Sequence, residues 1–187
     1  MKRMIPIVLS ALAVSTLMVS AGAFAQAPDD GIEKALAAAP RQLHDAATVI
    51  KWKADFTYDT LKKGTNRLVC YDRTGQPGQQ PFAVECTSLA NLDRVAQNLK
   101  FEAISDKAAS KAAFDAAEAN GTRVKPEFGS VWIHMSGPDK EHARMHTTVA
   151  VPGATEKSMG LPENATKGGM WIMNAGTSTA HLMTPGS

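Results

Sequence analysis

Imidazole and thioether side chains crowd the end of this chain. Four of its five histidines, His134, His142, His146 and His181, lie in the last third, with six of its nine methionines, Met135, Met145, Met159, Met170, Met173 and Met183. Both groups ligate soft or borderline metals, and in an exported protein the combination suits copper, with zinc as the other candidate. If the strands that carry His134, His146 and His181 are neighbours with matching faces, three imidazoles can converge on one ion, walled by Trp132 and Trp171. The same three histidines are the candidates for a base or metal ligand if the protein is an enzyme. Against this, methionine commonly fills irregular cores, and Met135, Met173 and Met183 sit inside apolar runs where packing is the default. His142 lies in the polar run Asp139-Lys140-Glu141-His142, an exposed turn. The His-x-x-x-His spacing of His142 and His146 spans a loop and a strand start rather than a helix.

Other chemistry has thinner support. Gly176-Thr177-Ser178-Thr179-Ala180-His181 has the outline of a relaxed G-x-S-x-A nucleophile elbow followed by a histidine. That elbow needs a strand-turn-helix setting, and a short strand follows here instead. His181 is also too near Ser178 in sequence to reach it without a special turn. Asp139 with Glu141, and Asp115 with Glu118, read as solvated faces. Asn164-Ala165-Thr166 fits the glycosylation sequon, but the bacterial-looking leader makes the match irrelevant. The sequence has no Gly-rich phosphate loop, no C-x-x-C-H haem attachment and no dinucleotide fingerprint. Trp52, Trp132 and Trp171, with Phe56, Tyr58 and Phe82, are enough aromatics to line an apolar ligand pocket above a sheet. They are equally enough to fill a core.

Any such site must be positioned by the elements that the periodicity implies. Ile50, Trp52, Ala54, Phe56 and Tyr58 alternate with polar residues, the period of a half-buried strand or of a hairpin bending within the run. Lys63-Gly64-Thr65-Asn66 supplies turn chemistry, with glycine available for a positive φ. Arg67 to Tyr71 reads as the next strand, and Asp72 to Pro81 as a surface loop. After Cys86, Leu89, Leu92, Ala96 and Leu99 share one helix face. A second helix begins behind Ser105 and ends near Asn120-Gly121, with an Ala-rich surface for close packing. Gly129 to Met135, Met145 to Val151, Gly169 to Asn174 and Ala180 to Met183 read as strands separated by glycine and proline turns. Strands, then two helices, then strands imply an α+β domain over residues 43–187 with a mainly antiparallel sheet. Residues 26–42, where Ile32, Leu36 and Ala39 fall at helical spacing, are expected to form a flexible or marginally helical arm, with docking on the domain as the alternative.

The first 25 residues describe an address. Lys2 and Arg3 precede an apolar run from Ile5 to Val19, and Ala23-Phe24-Ala25 is a small-x-small cleavage pattern. The run is too short for a membrane anchor, and no cysteine near the cut offers a lipid acceptor. Signal peptidase and the export machinery are therefore expected partners, and the mature chain is expected to be soluble and periplasmic or secreted. Loss of Lys2 and Arg3 turns 20 basic against 18 acidic residues into 18 against 18. A balanced chain gives no electrostatic argument for nucleic acid or an anionic membrane. Cys70 and Cys86 are the two cysteines of the chain, and in an oxidising compartment they read as a disulfide bracketing the 72–81 loop.

Two stretches also carry a resemblance. Ala47-Thr48-Val49-Ile50 through Leu61-Lys62-Lys63-Gly64-Thr65-Asn66, followed by Cys70, resembles the opening of a group of uncharacterised exported proteins of Gram-negative and soil bacteria. Met170-Trp171-Ile172-Met173-Asn174 through Ala180-His181-Leu182-Met183 is similar to the close of the same group, a terminal A-H-x-M segment after an apolar strand. The resemblance implies export and a shared fold but no activity. It directs attention to His181 and the Lys63–Asn66 turn. Together these features describe an exported, disulfide-bonded α+β protein, expected to be a non-enzymatic periplasmic binding or stress-related protein that takes a metal or small-molecule ligand. A metal-dependent or histidine-based enzyme and a partner-interaction protein are the alternatives.

Overall fold

A computed structural model describes residues 29–184, so the expected leader lies outside the described residues. Eight strands form one sheet: β1 (Thr48–Trp52), β2 (Tyr58–Lys62), β3 (Leu68–Asp72), β4 (Phe82–Ser88), β5 (Val131–Gly137), β6 (Arg144–Ala150), β7 (Trp171–Met173) and β8 (His181–Met183). Their spatial order is β2-β1-β3-β4-β5-β6-β8-β7. Every neighbouring pair is antiparallel except β1 and β3. Four helices accompany the sheet: α1 (Asp29–Leu36), α2 (Leu92–Glu102), α3 (Lys107–Ala119) and the short α4 (Glu156–Met159). This is the expected α+β class, with α2 and α3 inserted between the N-terminal and C-terminal strands. Among the described residues no helix is long and apolar enough to cross a membrane.

The central strands carry apolar side chains on both faces because both faces are covered. On one side, Val49, Leu68, Cys70, Phe82, Val84, Cys86 and Ile133 pack beneath α1. On the other, Ile50, Val69 and Tyr71 pack beneath Leu92, Val95 and Leu99 of α2. The expected loose arm is thus corrected: Ala35, Leu36, Ala38 and Ala39 are all buried against the sheet. Their small side chains let the helix and the turn after it approach closely. A helix this short is marginal alone and is stabilised by that burial. Met135 packs against the same core, whereas Met173, expected to be packed, is exposed on the short edge strand β7.

Parallel pairing of β1 and β3 forces an unusual crossing. β2 lies outside β1, so the chain must pass the start of β1 to place β3 on its inner side. The Lys63–Asn66 turn makes that passage. Thr65 and Asn66 donate their backbone N–H groups to Ala46 O at 2.8 and 2.9 Å, and Gly64 N donates to Thr48 Oγ1 at 3.0 Å. Gly64 does not have a positive φ. Its requirement is space, which corrects the expectation of a conformational role.

Cys70 and Cys86 are register partners on β3 and β4 and are disulfide-bonded. Both are fully buried under α1. The bond closes a loop whose ends are 16 residues apart, which contributes about 3 kcal/mol by restricting the unfolded chain. The Cys70→Ala/Cys86→Ala variant is therefore expected to melt about 6–12 °C lower by scanning calorimetry. An unchanged Tm would show that the cross-link adds nothing to the fold.

Candidate functional site

Across the face that α2 covers, one register row runs Tyr71, Glu85, His134, His146 on β3, β4, β5 and β6. α2 spans only the first part of that face. Beyond it the sheet forms the floor of a hollow of about 470 Å³. Glu85, Trp132, His134, His146, Thr148 and Ala150 supply the floor, Arg94 and Asn98 of α2 one wall, Arg123 and Pro126 the next. The β7–β8 loop closes it with Asn174, Thr179, Ala180 and His181.

The wall helix is fixed at both ends. At its start, fully buried Asn91 donates from Nδ2 to Thr87 Oγ1 and Ser130 Oγ, both at 2.9 Å, and accepts from Glu127 N at 3.0 Å. One amide thereby ties the beginning of α2 to β4 and to the chain entering β5. At its end, Glu102 accepts from Arg73 Nη2, whose Nη1 donates to Glu85 Oε2 at 3.0 Å. The segment after α3 is sewn to α2 by Gln97, which donates to Thr122 O and accepts from Val124 N, both at 2.9 Å.

These attachments place two arginines on the hollow. Arg94 is 4 % exposed and Arg123 6 %. Arg94 Nη1 donates to Val124 O and, at 3.4 Å, to Ser178 Oγ. No partner holds its Nε or Nη2 among the described residues. Arg123 donates to the neutral amides of Gln97 and Asn98 and stacks over Phe114 and Phe101, 5.0 and 5.8 Å from the ring centres. The arginine ion pairs among the described residues belong to Arg67 and Arg73, so neither wall arginine has one. Burial, with Arg123 beside it, pushes the Arg94 guanidinium down to about 10, and Glu118 opposes the shift. Burial likewise lowers Arg123, against the pull of Glu118 and Glu102. Both remain charged at neutral pH. Buried charges are ordinarily paired, and these two share a hollow with room for the missing counterion.

The opposite end of the floor carries the other sign. Burial alone would lower Arg73, but Glu85 and Glu102 outweigh it and hold the guanidinium above its ordinary value. Two carboxylates on one guanidinium leave a net negative charge. Burial depresses His134, with Glu85 opposing and Arg73 and His146 assisting, so the imidazole is neutral at neutral pH. Tyr71 keeps its phenol oxygen buried without a hydrogen bond. Burial raises that phenol well above its ordinary range, and Glu85 adds to the shift.

The three histidines expected to bind metal do line one hollow, on three adjacent strands and one face. They do not form a ligand set. His146 faces His134, but His181 pairs with Ala150, four residues further along β6. At a strand rise of roughly 3.3 Å per residue, that separates His181 from His146 by about 13 Å. No group of three or more His, Cys, Asp or Glu among the described residues is placed to hold a metal ion. The copper or zinc centre expected from the three imidazoles is corrected on that ground. His181 Nδ1 donates to Thr179 O at 2.7 Å, which leaves Nε2 as the free ring nitrogen.

Other expected site residues separate as well. Trp132 lines the hollow, but Trp52 packs edge-on against Tyr58 and Tyr71 under the other end of α2, and Trp171 sits on edge strand β7. The Ser178 hydroxyl donates to Glu118 Oε2, and Ser178 N donates to Glu118 Oε1 at 2.6 Å. No imidazole engages that hydroxyl, and the carboxylate beside it is held below its ordinary range by those two hydrogen bonds. The segment is a latch between α3 and the β7–β8 loop, not a nucleophile elbow. His142 pairs with Asp139 at the surface, as the polar run implied.

Sequence reasoning missed Arg94, Arg123 and Glu85. A signal for the first was present: Asn91, Arg94 and Asn98 repeat the spacing of Leu92, Val95 and Leu99 one residue earlier, a polar stripe beside the buried one. Nothing comparable marks Arg123, whose place depends on the turn after α3. No protein-family description, curated protein or solved structure to which the chain was compared matches it.

Proposed function

We propose that this is an exported, non-enzymatic binding protein whose hollow takes a small organic acid, with the ligand carboxylate received by Arg94 and Arg123. The observation that carries the reading is the pair of nine-tenths buried arginines that line one hollow without an ion pair among the described residues. A guanidinium with free N–H groups in a partly dry site is the side chain best suited to hold a carboxylate. Trp132 and Pro126 offer apolar surface for the rest of the molecule, and the volume lies within the range of small-molecule sites. Export is supported by Lys2, Arg3, the apolar run and Ala23-Phe24-Ala25. The fully buried disulfide is compatible with an oxidising compartment.

Calorimetric titration with aliphatic and aromatic monocarboxylates tests this reading. Saturable binding to the native protein is expected, with affinity in Arg94→Met lower by about 10- to 100-fold, the value of charge-assisted hydrogen bonds. Because Met is apolar and of similar length, the variant removes an unpaired buried charge and is expected to stay folded. Equal affinity in the variant, or no binding by the native protein, would remove the proposal.

A further inference from the structure

The hollow has two unsatisfied ends, and they differ in sign. At one, Arg94 presents Nε and Nη2 without partners among the described residues, and Arg123 adds a second cation. Glu118 is the carboxylate that acts on both, so that end keeps a net positive charge. At the other, Glu85 is 9 % exposed and lines the same hollow. Its Oε2 accepts from Arg73, and Oε1 has no partner among the described residues. Arg73 already serves Glu102 as well, so the three groups together carry one excess negative charge. Tyr71, buried beside Glu85 in the same register row, has its phenol pushed well above its ordinary range and offsets none of that charge. Neutral His134 stands beside Glu85 in the register row.

Glu102 acts on both ends, pulling on Arg123 as well as on Arg73 and His134, so the ends differ in sign without being isolated from each other. Trp132, Thr148 and Ala150 of the floor line the same hollow and carry no charge. A simple monocarboxylate would neutralise the arginine end and leave the Glu85 end facing buried ligand surface, which is costly for a carboxylate removed from water. A molecule that carries a cation at the far end satisfies both.

From this we infer that the ligand is a small zwitterion whose cation lies several bonds from its carboxylate, an ω-amino acid. Its carboxylate lies on Arg94 and Arg123, and its ammonium on Glu85 Oε1 beside His134 and the face of Trp132. A cation over an indole face adds to the attraction. This rests on the proposed carboxylate site and goes beyond it by assigning the second end.

Matched probes separate the two claims. β-Alanine with propionate, γ-aminobutyrate with butyrate, and 6-aminohexanoate with hexanoate are titrated into the native protein. At least one amino acid is expected to bind about tenfold or more tightly than its partner lacking the amine, the yield of one charge-assisted contact. In Glu85→Gln, which keeps the amide oxygen for Arg73, that preference is expected to disappear, the amino acid binding more weakly and the plain acid at least as tightly as to the native protein. Acids that bind as tightly as their amino partners throughout would overturn the zwitterion inference and leave the carboxylate site standing. Failure of every acid and every amino acid would overturn the carboxylate site itself. The native-protein comparison decides the inference even if Glu85→Gln does not fold.

Discussion

Arg73→Ala is expected to be the most damaging single substitution in the protein, costing about 3–5 kcal/mol and lowering Tm by about 10 °C or more. Arg73 is 5 % exposed and Glu85 9 %. Removing the guanidinium leaves the Glu85 carboxylate buried with no counterion and frees Glu102 at the end of α2. The penalty comes from the orphaned charge rather than from the lost attraction. It follows that Arg73→Met combined with Glu85→Leu, which removes both charges, should recover most of the loss. Chemical denaturation of the three proteins checks this. A double variant no more stable than Arg73→Ala would mean that the ion pair itself, not the penalty of breaking it, holds the sheet to α2.

Gly64→Ala is expected to cost about 3 kcal/mol or more, a large effect for one methyl group. A Cβ at this position would stand 2.2 Å from Ala46 O, 2.4 Å from Ala47 C and 2.5 Å from Thr48 N. All three are backbone atoms of the segment that leads into β1, so no side-chain rotation relieves the contact. The turn would have to lift off, breaking the hydrogen bonds of Thr65 and Asn66 to Ala46 O. Thermal melting compared with Gly31→Ala, where φ is likewise not positive and a Cβ meets no atom within 4 Å, isolates the crowding. Equal losses at the two positions would contradict the crossing as the reason for Gly64.

The contrast between these residues explains what the sequence made legible. Strand alternation around Ile50, the helix face of Leu92 and Leu99, and the Cys70–Cys86 pair are local patterns, and the fold class followed from them. β4 carries a similar local alternation, Phe82, Val84 and Cys86 against Glu85 and Thr87, beyond the expected 72–81 loop. The docking of α1 was not legible, because Ala35, Ala38 and Ala39 gain their value only from the sheet surface they meet. For the site, the sequence made a shared face for the three histidines conditional on strand order, and strand register sets His181 four residues along β6 from His146. Register is fixed by turns and long-range pairing, which a one-dimensional pattern does not contain. The arginines were missed because charge on a helix flank ordinarily faces solvent. Only tertiary covering by the Arg123 segment and the β7–β8 loop makes Arg94 a buried cation.

The account rests on those two guanidinium groups as an anion receptor, and the arginine Nε–Hε resonances report on them directly. Nitrogen-15 spectra recorded through a carboxylate or amino acid titration, assigned with Arg94→Lys and Arg123→Lys, are the measurement to make. Saturable shifts at Arg94 and Arg123, with the Arg67 signal unmoved at its surface ion pair, are the predicted result. Signals at Arg94 and Arg123 that stay in place while ligand is bound elsewhere, or that never move with any acid, would contradict it.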